Sequence, residues 1–428
     1  MGKKNHKREI KWDKLDNTAH LFPVIAGESM SNVYRISVTL QEEIQQELLQ
    51  EALERVLSWF EVFRVRMRYG VFWYYFETNQ KPAPKVKKEY RYPCPFISPN
   101  RNRNYLFRVN YYKNRINLEV FHVLTDGMGG ITFLRELTYQ YLRLSHPELQ
   151  KKLGDGLCSD TSLNREDSYL KNYRKSHKKG YKTERAFHVK GEKLAPLELG
   201  VMHGYMPMKS VKTACGKYGV SVNEYLVAAF LWSIYQECLH GMPSERPISS
   251  CVPVNLRPYF DSNTIKNFFV IVSAVFHPKK ENYTFHEVVQ IVAESLRSQI
   301  NREHLENLFA YNVSNEKNFI LRAVPLFLKN LAIRHVYHSS ALANTTTVTN
   351  IGNIQVREEY QKYIQSFYAL LSMSEGQNIK GTICSYKDTL VFTISSNLAD
   401  TSIQRGFFRT LSEDGILVQI ETNGVYDE

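Results

Sequence analysis

A histidine and an aspartate stand four residues apart where an apolar segment of the chain meets a cluster of glycines. The side chains of residues 115–122 alternate in polarity, which predicts a strand that carries His122 at its end, on an inward face. Asp126 follows, and Gly127 opens a run with three glycines in four residues. The pattern therefore predicts a strand, a tight loop and a helix, with an imidazole and a carboxylate at the turn.

The imidazole of His122 is suited to proton transfer. An unperturbed histidine has a pKa of about 6.5, so its neutral form is available near neutral pH. Beside a pocket it could deprotonate a hydroxyl, amine or thiol that attacks a carbonyl, which is typically worth about 10²–10⁴ in rate. Asp126 could either orient the imidazole or pair with a distant arginine and fix the loop. The competing interpretation of His122 is a satisfied histidine of the core.

No metal site is predicted from the sequence. His122 and Asp126 would share a face only of a helix, and the glycines argue against a helix there. No second histidine or cysteine lies nearby, and none of the 6 cysteines has a zinc-binding spacing. The cysteine pattern is typical of a reducing compartment, and we expect a cytoplasmic protein.

Three strings of the chain resemble one family. The string HVLTDG, from His122 to Gly127, resembles the active-site signature of the chloramphenicol acetyltransferase-like superfamily. The segment 252–258 and the later Asn267-Phe-Phe resemble the second-half motif of its alcohol acetyltransferase-like members. The segment 349–352 resembles their late Ser-Asn-x-Gly loop. The matches follow the order of the family and span most of the chain.

The resemblance implies acyl transfer without a covalent enzyme intermediate. His122 would deprotonate an alcohol or amine acceptor, which attacks a thioester directly. Acyl-coenzyme A is the expected co-substrate, and no permanently bound cofactor is expected. Asp126 would be structural, next to Gly127 and salt-bridged to Arg257 from the second half.

A developing oxyanion would also need a hydrogen-bond donor about 3 Å away. Asn350, Thr349 or a hydroxyl near Thr347 could supply it, and the sequence leaves these alternatives open.

Two departures from the family patterns reduce the number of branches that the chain could resemble. Peptide-synthetase condensation domains usually carry two adjacent histidines, and this chain has Phe121 in the first position. The plant acyltransferases carry a DFGWG string, which the chain lacks. Both departures favour the alcohol acetyltransferase-like branch.

Length and charge limit the classes of partner. The 428 residues suffice for two domains of about 200 residues each. The formal net charge of +12 suits phosphorylated small molecules such as coenzyme A, or an anionic membrane, although it could be solvated surface. No nucleic-acid-binding module is recognisable, and no such partner is expected. The apolar stretch near residues 319–333 is too short to span a bilayer, but peripheral membrane contact is a third hypothesis.

The element pattern predicts an α/β protein with two halves of similar size. Residues 1–170 form the predicted N-terminal subdomain, 171–195 a basic linker, and 196–428 the C-terminal subdomain. The resemblance implies two α+β sandwiches in a pseudo-dimeric arrangement, with the ligand in a cleft or tunnel between them. A monomer is expected. The alternative function is an inactive member of the fold that binds an apolar ligand or a carrier domain.

The predicted elements alternate in type along both halves. In the first half they are strands at 31–40, 64–77, 104–112 and 115–122 with helices at 41–60 and 130–144. A capping box at Ser221 and Glu224 opens a helix in the second half. The remaining predictions there are strands at 247–254, 268–276, 345–350, 366–373, 378–385, 389–396 and 416–421, with helices at 285–301 and after Asp400.

Overall fold

A computed structural model describes residues 10–90, 92–175, 184–318 and 322–426. Numbered in chain order, its strands are β1 (Trp12–Lys14), β2 (Val33–Leu40), β3 (Val65–Tyr69), β4 (Tyr74–Thr78), β5 (Lys87–Lys88), β6 (Phe107–Tyr112), β7 (Arg115–Phe121), β8 (Gly200–Pro207), β9 (Ile248–Asn255), β10 (Phe269–Phe276), β11 (Thr346–Asn353), β12 (Ile364–Leu371), β13 (Ile379–Tyr386), β14 (Thr389–Ser396) and β15 (Gln419–Thr422).

The helices of the described residues are α1 (Phe22–Ile25), α2 (Gln46–Trp59), α3 (Gly127–Ser145), α4 (Pro147–Leu153), α5 (Ser168–Asn172), α6 (Met208–Tyr218), α7 (Val222–Leu239), α8 (Phe285–Gln299), α9 (Arg302–Lys317), α10 (Leu326–Ala341), α11 (Glu358–Gln361) and α12 (Ser402–Glu413). Short 3₁₀ helices cover Thr18–His20 and Asn102–Asn104. The mixture of sheets and helices is the α/β class that the sequence predicts.

The N-terminal half is built on a five-stranded sheet in the order β12-β2-β7-β6-β5. Ile36 of β2 lies opposite Leu118 of β7, and both side chains are fully buried on the face that packs against α3. The other face of β7 is also buried and holds a polar network, in which Arg35 pairs with Glu119 at 2.6 Å. The strand therefore has two inward faces, whereas the sequence analysis assigned it one.

The C-terminal half is built on a seven-stranded sheet in the order β10-β9-β11-β13-β14-β8-β15. Helices α6, α7 and α8 pack against it, around a second apolar core. The predicted capping box at the start of α7 is confirmed. Ser221 Oγ accepts from the Glu224 N–H at 3.3 Å, and a Glu224 carboxylate oxygen accepts from the Ser221 N–H at 2.7 Å.

One strand of the predicted C-terminal subdomain pairs with the sheet of the N-terminal half. β12 belongs to the segment 196–428, yet it pairs antiparallel with β2 at the edge of the N-terminal sheet, with Phe367 opposite Val38. β12 also contacts the C-terminal sheet, because Ser395 Oγ of β14 donates to the Leu371 carbonyl of β12 at 2.9 Å. A strand partner more than 300 residues away leaves no local signal. Part of the predicted linker, residues 176–183, lies outside the described residues.

Among the described residues of the second half, the sequence prediction omits the helices α6, α9, α10 and the short α11, and the strand β8. α9 carries a readable signal, since the Asn301 side chain caps it by accepting from the His304 N–H at 2.9 Å, and Leu305, Phe309 and Val313 are buried at helical spacing. α10 carries no such signal, because it has no fully buried residue and its apolar side chains are not confined to one face. Within the described ranges, no helix has the length and apolar composition to cross a membrane.

Candidate active site

A cavity of about 1370 Å³ lies between the two halves of the molecule. On one wall, α1 and the end of β7 contribute Phe22 and His122. On the other, β9, β10, β11 and α10 contribute mostly apolar side chains. A large, mainly apolar cleft with a few converging polar groups is the usual form of a small-molecule site.

His122 lies directly after β7 with its ring at the cavity wall. Its backbone N–H donates to the Asn32 carbonyl at 3.0 Å. The ring stacks on Phe22 with centroids 4.5 Å apart and planes 17° apart, and it meets Tyr34 edge-on at 5.2 Å. Aromatic contacts on two sides therefore hold the imidazole in one orientation.

Asn267 determines which nitrogen of His122 carries the proton. Asn267 Nδ2 donates to Asp16 Oδ2 at 2.8 Å, so the amide oxygen of Asn267 faces the other way. That oxygen lies 3.2 Å from His122 Nδ1, so it accepts a hydrogen bond from a protonated Nδ1. Nε2 is then the basic nitrogen of the ring, which is the tautomer that a general base needs.

Burial shifts the acidities of His122 and Asp16 in opposite senses. Desolvation lowers the pKa of His122 below its usual 6.5, against the opposing effects of a hydrogen bond with its own backbone, of Asp126 and of Asn267. The ring is therefore neutral at neutral pH. Desolvation raises the pKa of Asp16 to about 7, even though Asn267 and the Ala19 N–H donate to its carboxylate.

The carboxylate of Asp126 is occupied on both oxygens. Oδ1 accepts from the N–H groups of Met128 at 3.1 Å and Gly129 at 3.2 Å, which caps the start of α3. Arg257 forms a bidentate ion pair with it, with N–O distances of 2.9 and 3.1 Å. Oδ2 also accepts from the Phe268 N–H at 2.9 Å. Of the two roles left open by the sequence, this geometry favours fixing the loop, since the ring of His122 hydrogen-bonds to Asn267 and, among the described residues, not to the carboxylate of Asp126.

Arg257 extends the same contact into the second half. Its remaining N–H groups donate to the Thr264 carbonyl at 2.9 Å, the Lys266 carbonyl at 2.7 Å and Asn255 Oδ1 at 3.1 Å. The loop that carries Asn267 is thereby held against the loop that carries His122. One arginine of the C-terminal half thus positions two groups at the cavity.

Close packing, and not the formation of a loop, explains the glycine at position 129, which corrects the sequence interpretation. α3 begins at Gly127 itself, because Asp126 caps it, so the segment is helical and not a separate loop. A Cβ on Gly129 would lie 1.9 Å from Thr125 Oγ1 and 2.3 Å from the Ile265 carbonyl oxygen. A Cβ on Gly127 would meet only Ile351, at 3.9 Å. Space at Gly129, not an unusual backbone angle, therefore demands a glycine.

Thr349 and Asn350 lie on β11 and line the same cavity as His122. Asn350 is exposed, and its side-chain oxygen accepts from the Gly352 N–H at 2.8 Å, beside a bulge in the pairing of β11 with β13. Its amide oxygen is therefore used for the loop, and only its Nδ2 could act as a donor toward the cavity. Thr347 also lines the cavity, and its Oγ1 donates to Gln377 Oε1 at 2.7 Å.

Three polar residues of the site were assigned no role from the sequence. Asp16 and Tyr34 are distant from any motif, and no sequence signal marks them. Tyr34 Oη donates to the Asp126 carbonyl at 2.8 Å, beneath the loop. Asn267 stood within a family-like string, so its position was visible although its contact with His122 was not. Among the described residues no group of three or more His, Cys, Asp or Glu side chains could hold a metal.

Comparisons with known proteins show which solved structures have a similar fold. No protein-family profile and no curated protein sequence matches the chain. Polyketide synthase associated protein 5 from Mycobacterium tuberculosis is similar in structure, with 13% identity, coverage of 93% of this chain and 96% of that one, and a TM-score of 0.61. TRI101 of F. sporotrichioides, complexed with coenzyme A and T-2, has 12% identity, coverage of 94% and 98%, and a TM-score of 0.61.

A third similar structure is a condensation domain. The starter condensation domain of rhizomide synthetase RzmA, in complex with C8-CoA and Leu-SNAC, has 11% identity, coverage of 94% of each chain and a TM-score of 0.58. The three similarities extend over nearly the whole length of both partners. The chain therefore has the two-subdomain chloramphenicol acetyltransferase-like fold that the sequence resemblance implied.

Proposed function

We propose that this protein is an acyltransferase that moves an acyl group from a thioester, acyl-coenzyme A, to an alcohol or amine. The observation that carries the proposal is the state of His122: a neutral ring at the wall of a large cavity, with Nδ1 bound to Asn267 and Nε2 left as the base. A general base needs this arrangement before its substrates arrive.

In the proposed reaction Nε2 of His122 takes the proton of the acceptor O–H or N–H as that atom attacks the thioester carbonyl carbon. The carbonyl becomes a tetrahedral oxyanion, for which Thr349 and Asn350 are the candidate donors. The C–S bond then breaks, and the proton on Nε2 passes to the departing thiolate. Asp126 and Arg257 hold the loop, and no covalent bond to the protein forms.

The similar structures support a coenzyme A donor. TRI101 of F. sporotrichioides was complexed with coenzyme A, and the condensation domain of RzmA with C8-CoA. The condensation domain also keeps open a donor on a carrier protein. The division into subdomains 1–170 and 196–428, the monomeric state and the cytoplasmic location remain proposals from the sequence.

The test is release of thiol from acyl-coenzyme A donors in the presence of a panel of alcohols and amines. His122→Ala should lower turnover at least about a hundredfold while the fold is retained. His240→Asn is the matched control, because His240 is an exposed histidine outside the cavity lining. Full activity in His122→Ala would refute the proposal, and binding of an apolar ligand or carrier without any turnover would favour the scaffold alternative.

We also propose that the mouth of the cavity docks on an anionic lipid bilayer. Val71 and Phe72 of the β3–β4 turn lie beside α10, because the Leu326 N–H donates to the Val71 carbonyl at 2.9 Å. Together with Phe327 and Leu331 of α10 they form an apolar rim, with exposed fractions from 41% to 73%. Leu326 also lines the cavity.

The charges around the apolar rim are complementary to anionic lipid. The segment 322–341 contains Arg322, Lys329 and Arg334 and no acidic residue. Exposed apolar groups together with basic side chains favour the surface of an anionic membrane. Such a position would let a lipophilic acceptor enter the cavity directly from the bilayer.

Flotation with vesicles tests the docking. The protein should float with vesicles of phosphatidylserine and phosphatidylcholine and less with phosphatidylcholine alone. The double variant Phe327→Ser and Leu331→Ser should stay at the bottom of the gradient. Leu417→Ser is the control, since Leu417 is 76% exposed and lies outside the apolar rim. Flotation that the rim variant leaves unchanged, or no flotation of the wild type, would contradict the docking.

A further inference from the structure

A row of side chains crosses the C-terminal sheet at the base of the cavity. The strand register places Thr347 of β11 beside Cys251 of β9 on one side and Lys380 of β13 on the other. Neighbouring residues in register point to the same face of a sheet. All three line the cavity that His122 faces from the other half.

Lys380 is a buried cation without a carboxylate partner among the described residues. It is 5% exposed, and its Nζ donates to the Ser372 carbonyl at 2.9 Å and to Ser374 Oγ at 2.5 Å. Both acceptors are neutral. Asp126, the carboxylate that lines the cavity beside His122, is engaged with Arg257. A buried charge that lacks an opposite charge is costly, so the position favours an anion from outside the chain.

The neighbours of Lys380 are suited to a single negative charge. Ser374 offers a hydroxyl group in contact with the ammonium, and Cys251 offers a thiol whose pKa burial raises to about 11, so it stays neutral. One cation and one hydroxyl match a carboxylate in charge, whereas a phosphate dianion would remain unbalanced. Lys380 and His122 also line the same cavity, so one ligand could contact both groups.

From this arrangement we propose that Lys380 is the anion-binding subsite of the cavity and that it takes the carboxylate of the acyl acceptor. The acceptor would be a hydroxy acid or an amino acid, with its carboxylate at Lys380 and its hydroxyl or amine at His122. The part about the acceptor rests on the proposed acyl transfer. The part about carboxylate binding does not.

The first test compares ω-hydroxy acids of increasing chain length with their primary amides. The wild type should prefer the acid at the best length by about 10- to 100-fold in kcat/KM, as for a charged hydrogen bond in a buried site. Lys380→Met should lose that preference. Lys329→Met is the matched control, a lysine at the edge of the same cavity that binds the Phe72 carbonyl, and it should keep the preference. Equal use of acid and amide by the wild type, or a preference that survives in Lys380→Met, would overturn the proposal.

The second test measures binding without turnover. Calorimetry of straight-chain carboxylates on the His122→Ala protein should show binding that the Lys380→Met, His122→Ala double variant lacks. Thermal melting checks that both proteins are folded, and Lys380→Gln replaces Lys380→Met if that variant does not fold. If no acceptor is ever acylated, the proposed function fails while this measurement still decides the subsite. Equal binding by both proteins, or binding of alkyl phosphates alone, would refute the carboxylate assignment.

The pH dependence of that binding separates a binding role from a merely structural one. Burial lowers the pKa of Lys380 to about 8, while burial raises the pKa of Cys251 and Cys94 and lowers that of His122. Among these facing groups, only the ammonium of Lys380 titrates near pH 8. Carboxylate affinity should therefore be high below pH 8 and fall above it, and an affinity that is constant through this range would contradict the subsite.

Discussion

The two walls of the cavity each bury a charged side chain, and the two charges differ in how far their partners compensate them. On the N-terminal wall the carboxylate of Asp126 accepts three backbone N–H groups and a bidentate arginine. On the C-terminal wall the ammonium of Lys380 donates, within the described part of the chain, to just two neutral oxygens. A fully compensated charge holds a loop in place, whereas an incompletely compensated one keeps capacity for a ligand. The difference separates a structural ion pair from a proposed binding group within one cavity.

The largest expected effect tests whether the Asp126 wall is a closed structural unit. Asp126→Ala should lower the free energy of unfolding by about 3–5 kcal/mol, because it strands the buried guanidinium of Arg257. Arg257→Ala should cost a similar amount, and the double variant little more. Denaturant unfolding of the four proteins gives the cycle. Additive losses would mean that the two side chains act independently, and Asp126 would then not be a charge compensated by Arg257.

A third buried ionisable group, Asp16, gives a pH-dependent test. Its pKa is raised from 3.8 to about 7, so between these values the folded chain keeps a proton that the unfolded chain releases. Stability should therefore fall as the pH rises from about 4 to about 7. Asp16→Asn removes the titration, and the wild type should lose a few kcal/mol relative to the variant over this range, at about 1.4 kcal/mol for each pKa unit.

Thermal melting of the wild type and Asp16→Asn at several pH values measures that difference. The loss of one acceptor oxygen in the variant shifts its stability at every pH and leaves the slope unaffected. Parallel curves for the two proteins would show that Asp16 is ionised throughout. Asp16 would then be a compensated charge like Asp126.

The packing behind Asp126 is tested by a pair of glycines in one helix. Gly129→Ala should destabilise the protein by about 1–3 kcal/mol, since its Cβ would overlap Thr125 and the Ile265 carbonyl. Gly127→Ala is the matched control, because its Cβ meets only Ile351 at 3.9 Å, and its stability should change little. Chemical denaturation of both variants decides it. Equal destabilisation by the two variants would mean that the available space does not determine the need for glycine at position 129.

The smallest effect is expected at the opposite wall. Lys380→Met removes two hydrogen bonds together with the cost of burying an ammonium, so the free energy of unfolding should change by no more than about 1 kcal/mol. The same denaturant series that measures Asp126→Ala provides the comparison. A loss as large as that of Asp126→Ala would make Lys380 structural and would erase the difference between the walls.

Much of the secondary structure was readable because its signals are local. The alternation in β2 and β7, the capping box of α7 and the strands β13 and β14 follow from side chains within a few residues of one another. α10 was not readable, since a helix that lies over a cavity mouth buries no single face. α3 was placed too late along the chain, because three glycines suggested a loop and the cap by Asp126 decided otherwise.

The residues of the candidate site also fall into those with a local sequence signal and those without one. The sequence alone determined His122, Asp126 and their spacing, because one strand end and one helix start are local features. Only the tertiary structure decided that Asn267 sets the tautomer of His122, that Asp16 lies behind it and that Lys380 faces it across a cavity. Those contacts join residues 145 positions apart or more, and the register of distant strands and the packing of two halves, rather than any local preference, bring them together.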